Sequence, residues 1–359
     1  MSRTPLAPWD PAPFRAAVQT TLDEFVDAQA ARLADLGPDA ERLVAAARDA
    51  VSGGKRFRAL FCYWGFRAVQ DEGYDEQRLV RAAGALELLH ASALVHDDYM
   101  DASDVRRGRP ATHRAFERLH REAGWGGDPE QYGAAGAILL GDLLLSWADE
   151  LLRTSGFGPD RIFDALGYFD TTRGEVIAGQ FLDVSVQARR ASDVDAAMAV
   201  LRYKSAKYSV ERPLHIGAAL AGASADVFEA LSAFGLPLGE AFQLRDDLLG
   251  VFGDPAVTGK PAGDDLVEGK RTVLVALALE HAPEDEARHL DRSLGTPLRP
   301  DEIDALRKII EASGAHARVE AMIGDLTGRC LSALEAAPVT DSAREVLRQL
   351  AGAATQRAV

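Results

Sequence analysis

Cysteine is nearly missing from this chain: 359 residues hold only Cys62 and Cys330. Both lie in apolar, helix-like surroundings, which excludes a disulfide framework or a thiolate metal site and points to a reducing compartment. Alternating β-branched segments bounded by turn residues are also lacking, so little sheet is expected. No apolar run is long enough to span a bilayer, and stable membrane insertion is not expected. No Pro/Gly/Ser linker or internal repeat interrupts the interior. One large domain over 14–359 is therefore expected, behind a flexible tail at 1–13. That tail, MSRTPLAPWDPAP, is Pro-rich and has no apolar signal core, which leads to the expectation of a cytoplasmic protein. A net charge of −15 argues against nucleic acid as a partner.

What the chain does contain is helical periodicity from end to end. Phe14 to Leu36 reads as a first helix, stopped by Gly37-Pro38, and Ala40 to Val51 as a second. Helices are expected from Arg56 to Gln70, from Glu76 to about Asp101, and then to about Glu122 after a loop from Ala102 to Pro110. Tyr132 to Arg153, Pro159 to Val186, Val194 to Ala221 and Ala225 to Leu249 read as long helices. Phe252 to Gly269 is a polar, glycine-rich stretch, and so long a loop in a compact domain is more often functional than idle. Thr272 to His281, Pro300 to Ser313, His316 to Glu335 and Ser342 to Ala354 complete the set. The fold class that follows is all-α, a large antiparallel bundle around a central cavity.

Charge is concentrated at a few places on this apolar frame. In ELLHASALVHDDYMDASDVRRGRPATH, an apolar helix leads to Asp97, Asp98 and Asp101 and then to Arg106 and Arg107. Asp97 and Asp101 lie about 40° apart on one helix face. Carboxylates so placed repel unless a cation sits between them, and such hard oxygen ligands suit Mg²⁺ shared with a substrate phosphate. A solvated acidic helix end is the plainer reading, but it is weakened by a second pair, Asp246 and Asp247, with Gln243 on the apolar segment FQLRDDLLGVFGDP. Gly53-Gly54-Lys55-Arg56-Phe57-Arg58 sets two glycines before a cationic helix start, an arrangement suited to a diphosphate and poorly suited to the helix dipole. Lys204 and Ser205 fit phosphate oxygens or a surface turn equally well, and Gln180 with Asp183 (GQFLD) reads as a satisfied buried polar pair. His90 stands seven residues before Asp97, near its face.

With these residues in view, the chain resembles the trans-isoprenyl diphosphate synthases (polyprenyl synthetases), most of all those making geranylgeranyl diphosphate, over roughly residues 52–272. The likeness is carried by GGKRFR, the Glu87–His113 stretch, GDLLL after Gly141, GQFLD, YKSA, FQLRDDLLGVFGDP and GKPAGDDLVEGKRT, all in order. The resemblance implies the isoprenoid synthase fold, a homodimer, and Mg²⁺, three ions per active site. It makes Asp97, Asp101 and Asp246 the metal ligands, with Asp98 and Asp247 in support. Lys55, Arg58, His90 and Arg107 are similar to the site for isopentenyl diphosphate. Arg106, Lys204, Ser205, Gln243, Lys260 and Lys270 are similar to the site for an allylic diphosphate, and Arg106 and Lys204 count among the catalytic groups. Gly250 departs from the family's pattern, in which a third aspartate commonly ends the second motif; Asp254 lies one turn on.

The reaction implied is head-to-tail condensation of isopentenyl diphosphate with allylic diphosphates. It needs no side-chain nucleophile, and none is evident. Ala93, Leu89 and Leu86 point the same way as Asp97 at successive turns, and in the family the residues four and five before the first aspartate, here Ala93 and Ser92, often set product length. Both are small, and the expected product is geranylgeranyl diphosphate (C20). The alternatives are a farnesyl (C15) or longer-chain synthase. Of another class are a terpene cyclase, which needs no isopentenyl site, and a non-catalytic partner subunit, whose acidic motifs would have decayed.

Overall fold

The computed structural model describes residues 9–253 and 263–356. The described chain is all-α, as the periodicity predicts, apart from one short ribbon, and it divides into two compact units. The first is Met1–Leu166 with Ile216–Gly222, the second Gly167–His215 with Ala223–Val359.

In the first unit, helices α1 (Ala12–Leu33), α2 (Pro38–Ala50), α3 (Phe57–Arg67) and α4 (Glu76–Met100) are followed by α5 (Thr112–Ala123) and α6 (Pro129–Arg153). Asp75 caps α4 by accepting from the Gln77 and Arg78 N–H groups, which satisfies amides the helix leaves open. Its middle is buried on nearly every side, from Ala82 to Leu89, so α4 is a core helix and not a surface one. Trp64, Phe61 and Phe66 of α3 are fully buried, and Trp9 meets Trp64 edge to face with ring centroids 5.1 Å apart. The span 102–110, expected as a loop, holds a tight antiparallel ribbon, β1 (Val105–Arg106) with β2 (Arg109–Pro110). Its two-residue turn puts Arg107 at φ 52° and Gly108 at φ 73°, the positive pair that a hairpin of this length demands.

The second unit takes up the later part of α7 (Pro159–Arg189). It continues through α8 (Val194–Val200), a π-wound segment Leu201–Glu211, the start of α9 (Arg212–Ala221), and α10 (Ala225–Phe252). The single helix expected over Val194–Ala221 is thus three windings in succession, with the Arg212 N–H bonded to the Lys207 carbonyl five residues back. Within the stretch expected as one long loop, α11 (Asp264–Glu268) forms, while 254–262 lie outside the described residues. Then follow α12 (Val273–His281), α13 (Glu284–Ser293), α14 (Pro300–Ala312), α15 (Ala315–Ala336) and α16 (Asp341–Thr355), of which α13 is absent from the sequence reading. Leu244, Leu248 and Val251 of α10 pack with α12 and with Val319 and Ile323 of α15 in one apolar cluster. Arg245, pointing the other way, donates to both oxygens of Glu320 (2.6 and 2.7 Å) and to the Thr355 carbonyl. Cys62 and Cys330 are buried free thiols, both pushed up to about 12 by burial and therefore unreactive.

Candidate active site

At the end of α4, the Asp101 N–H donates to the Asp97 carbonyl at 2.8 Å, so the two carboxylates stand one turn apart. No basic residue occupies that last turn, and acids at a helix C-terminus oppose its dipole, typically at a cost of about 0.3–1 kcal/mol each. Helix stability alone does not account for them there. Asp98 is only 3% exposed and turns away to Arg106, whose Nε donates to it at 2.7 Å and whose second N–H reaches the same oxygen. The Arg106 guanidinium is also 3.9 Å from Asp97. Asp98 therefore holds Arg106 close to Asp97.

The cations expected to hold a second anion also fall in this unit. Lys55 and Arg58 flank the start of α3, His90 lies on α4, and Arg107 sits in the ribbon turn. Arg107 donates to the Ser52 carbonyl at 3.1 Å and packs its guanidinium tightly against the place of a Cβ on residue 54, 3.3 Å from the nearest nitrogen. Gly54 is favoured there chiefly by its left-handed backbone at φ 95°. Burial, and then the charges of Arg58, Arg107, Arg106 and Arg56, hold His90 well below the usual imidazole range. Of the residues assigned to product length, Leu86 and Leu89 are buried and Ala93 is half-buried, in line along α4 below Asp97, while Ser92, also buried, lies off that line.

In the second unit, Lys204 of the π segment donates to Asp183 of α7 at 2.6 Å. Asp183 also accepts from Gln187, so its polar partners are Lys204 and Gln187 and not the Gln180 of the GQFLD reading. Ser205 is the next residue, half-buried. On α10, Gln243 donates to Asp247 at 2.8 Å, and Asp246 lies half-buried beside it. Burial, then the Asp265 charge, pushes Asp247 up to about 8. Lys270 meets Glu268 at 2.5 Å and Asp265 at 3.4 Å. Lys260 and Asp254 lie outside the described residues.

At position 250, where the family's pattern commonly has a third aspartate, a Cβ would run into the Asp265 carboxylate, which would have to move. Asp265 and the buried pair Arg56–Glu87 have no assigned role in the motifs that contain them, GKPAGDDLVEGKRT, GGKRFR and the Glu87–His113 stretch. Arg56 meets Glu87 across 31 residues and Lys204 meets Asp183 across 21, pairings that no local spacing signals.

The candidate donors are half-buried carboxylate oxygens, with no thiolate among them, a set that fits a hard cation such as Mg²⁺. Among the described residues no three acidic, histidine or cysteine groups converge as a ready-made cage.

Residues 40–312 match the family model described as polyprenyl synthetase. A geranylgeranyl diphosphate synthase of Methanosarcina mazei is 37% identical over 242 residues, 67% of this chain and 68% of that one. A geranylfarnesyl diphosphate synthase of Aeropyrum pernix is 32% identical over 303 residues, 83% of this chain and 88% of the relative. The crystal structure of geranylgeranyl pyrophosphate synthase from Corynebacterium glutamicum, complexed with isoprenyl diphosphate and magnesium, matches with a TM-score of 0.94. It is 42% identical and covers 98% of this chain and 100% of that one.

Proposed function

Since the chain belongs to the polyprenyl synthetase family, we propose that it condenses isopentenyl diphosphate with allylic diphosphates head to tail and releases geranylgeranyl diphosphate. It is a transferase of the prenyl diphosphate synthase type. The observation that carries the reading is the pair Asp97 and Asp101, one turn apart at a helix end they destabilise, with Arg106 fixed beside them.

Asp97, Asp101 and Asp246 would hold Mg²⁺, three ions in all, with Asp98 and Asp247 behind them. Bound Mg²⁺ supplies positive charge that eases departure of the allylic diphosphate. Arg106 and Lys204 add cationic charge to the same leaving group, and Ser205, Gln243, Lys260 and Lys270 bind it. Lys55, Arg58, His90 and Arg107 hold isopentenyl diphosphate so that its double bond attacks the allylic carbon; a proton then leaves to the departed diphosphate. Apolar surroundings keep water from the transient cation. The isopentenyl set argues against a cyclase, and the intact aspartates argue against a non-catalytic subunit.

Small residues at Ser92 and Ala93, together with the likeness to a geranylfarnesyl synthase, favour a longer product as the second reading. Incubation with labelled isopentenyl diphosphate and dimethylallyl, geranyl or farnesyl primers tests both. A C20 product supports the proposal, C15 or C25 corrects the length, and no elongation rejects the reaction. EDTA should abolish turnover and Mg²⁺ restore it.

We also infer a cytoplasmic homodimer. Ile177, Phe181 and Val184, at helical spacing on α7, are 58%, 74% and 39% exposed, an apolar stripe that a second copy would cover. No described helix is long and apolar enough to cross a membrane. A monomeric mass by light scattering would reject the dimer.

A further inference from the structure

We propose that Arg56, braced by Glu87 and Gln19, is a positioning residue for the isopentenyl diphosphate site and not a ligand of the diphosphate. The proposal rests on the functional reading above. Arg56 lies between Lys55 and Arg58, and its sequence context alone would make it a third phosphate-binding cation. The structure turns it inward instead. It is 5% exposed, and its backbone is left-handed at φ 54° and ψ 40°, a conformation disfavoured for a residue with a Cβ.

Its side chain repays that strain. One guanidinium nitrogen donates to Glu87 Oε2 at 3.3 Å; the other donates to the Val51 carbonyl at 2.6 Å and to Gln19 Oε1 at 2.5 Å. The far oxygen of Glu87 accepts the Ala59 N–H at 3.1 Å, and Gln19 Oε1 accepts the Gly53 N–H at 3.0 Å. One side chain thus ties α1, the end of α2, the glycine turn and the first turn of α3 to α4. Glu87 stands one helical turn before His90, so the brace joins the Lys55–Arg58 loop to the helix carrying the imidazole. With these bonds made to protein, the guanidinium is committed away from substrate. What it controls is the left-handed turn at which Lys55 and Arg58 part. A loosened brace should blur the placement of those two cations while leaving the allylic residues alone.

The test uses the full chain carrying Glu87→Gln, Gln19→Ala, Arg56→Gly or Arg56→Met. Steady-state KM is measured for each substrate, isopentenyl diphosphate binding by calorimetry, and folding by thermal melting. For Glu87→Gln and Arg56→Met the expected result is a KM for isopentenyl diphosphate at least tenfold higher, with the allylic KM within twofold. Arg56→Gly relieves the backbone strain but removes the brace, and the same split is expected. Gln19→Ala, which spares the buried ion pair, should give a threefold rise and keep the proposal testable if the others fail to fold. Unchanged KM for isopentenyl diphosphate in Glu87→Gln and Gln19→Ala, equal losses for both substrates, or wild-type behaviour of Arg56→Gly would overturn it. Failure of the unaltered chain to use isopentenyl diphosphate at all would sink the functional reading first, and the brace with it.

Discussion

The Asp265 carboxylate occupies the space that a side chain on Gly250 would need. Restoring the family's third aspartate with Gly250→Asp should therefore harm the fold, by about 1–3 kcal/mol as overpacking usually does, with a like charge added. In an Asp265→Ala background the same change should cost much less. Urea unfolding of the four variants in the cycle decides the matter, and additive losses would show that the two positions do not compete.

Ala93→Phe should shorten the product to C15 or less, because an aromatic ring on the face of α4 below Asp97 would block the line toward Leu89 and Leu86. Product chromatography reads the result. A chain length unchanged from the parent's would remove α4 as the floor.

Asp183→Asn should lower turnover at least tenfold, because Lys204 loses the carboxylate that holds it 2.6 Å away. Lys204→Met should do similar damage, and the double variant should be little worse than either single one. Rate losses that multiply in the double variant would separate the two roles.

His215 is buried, accepts at Nδ1 from Arg212 at 3.3 Å, lies 3.0 Å from the Ser232 hydroxyl through Nε2, and is lowered to about 4 by burial and by the Arg212 charge. The folded protein keeps this ring neutral, while the unfolded chain protonates near 6.5. Its contribution to stability is whole above 6.5 and is lost progressively as pH falls from there toward 4. Urea midpoints measured across that range should fall, and His215→Gln should flatten part of the slope. An identical slope in that variant would assign the acid sensitivity elsewhere.

Helix positions were legible wherever chemistry is local. Gly37-Pro38 ends one element and Asp75 opens another, and both signals act within a turn. The α13 helix escaped because EDEARHLDRS is polar and buries only Leu290 fully. The π winding carries no local signal; its side chains pair far along the chain, Lys204 with Asp183 and Lys207 with Glu175 on α7, which Arg212 at its end also reaches. The same distinction runs through the site. Asp97, Asp101, Asp246 and Asp247 stand out as charges on apolar helices, whereas Arg56 and Glu87, 31 residues apart, look like one more cation and one more acid until folded.

The wide winding of 201–211 also makes this stretch sensitive to length in a way its neighbours are not. Hydrogen bonds there skip one residue more than in an ordinary helix, so dropping a single codon would let the coil tighten. Lys204 would then swing around the axis, away from Asp183, with no amino acid in the motif changed. Point changes along this stretch can accumulate over generations, but loss of one residue should silence the enzyme at a stroke.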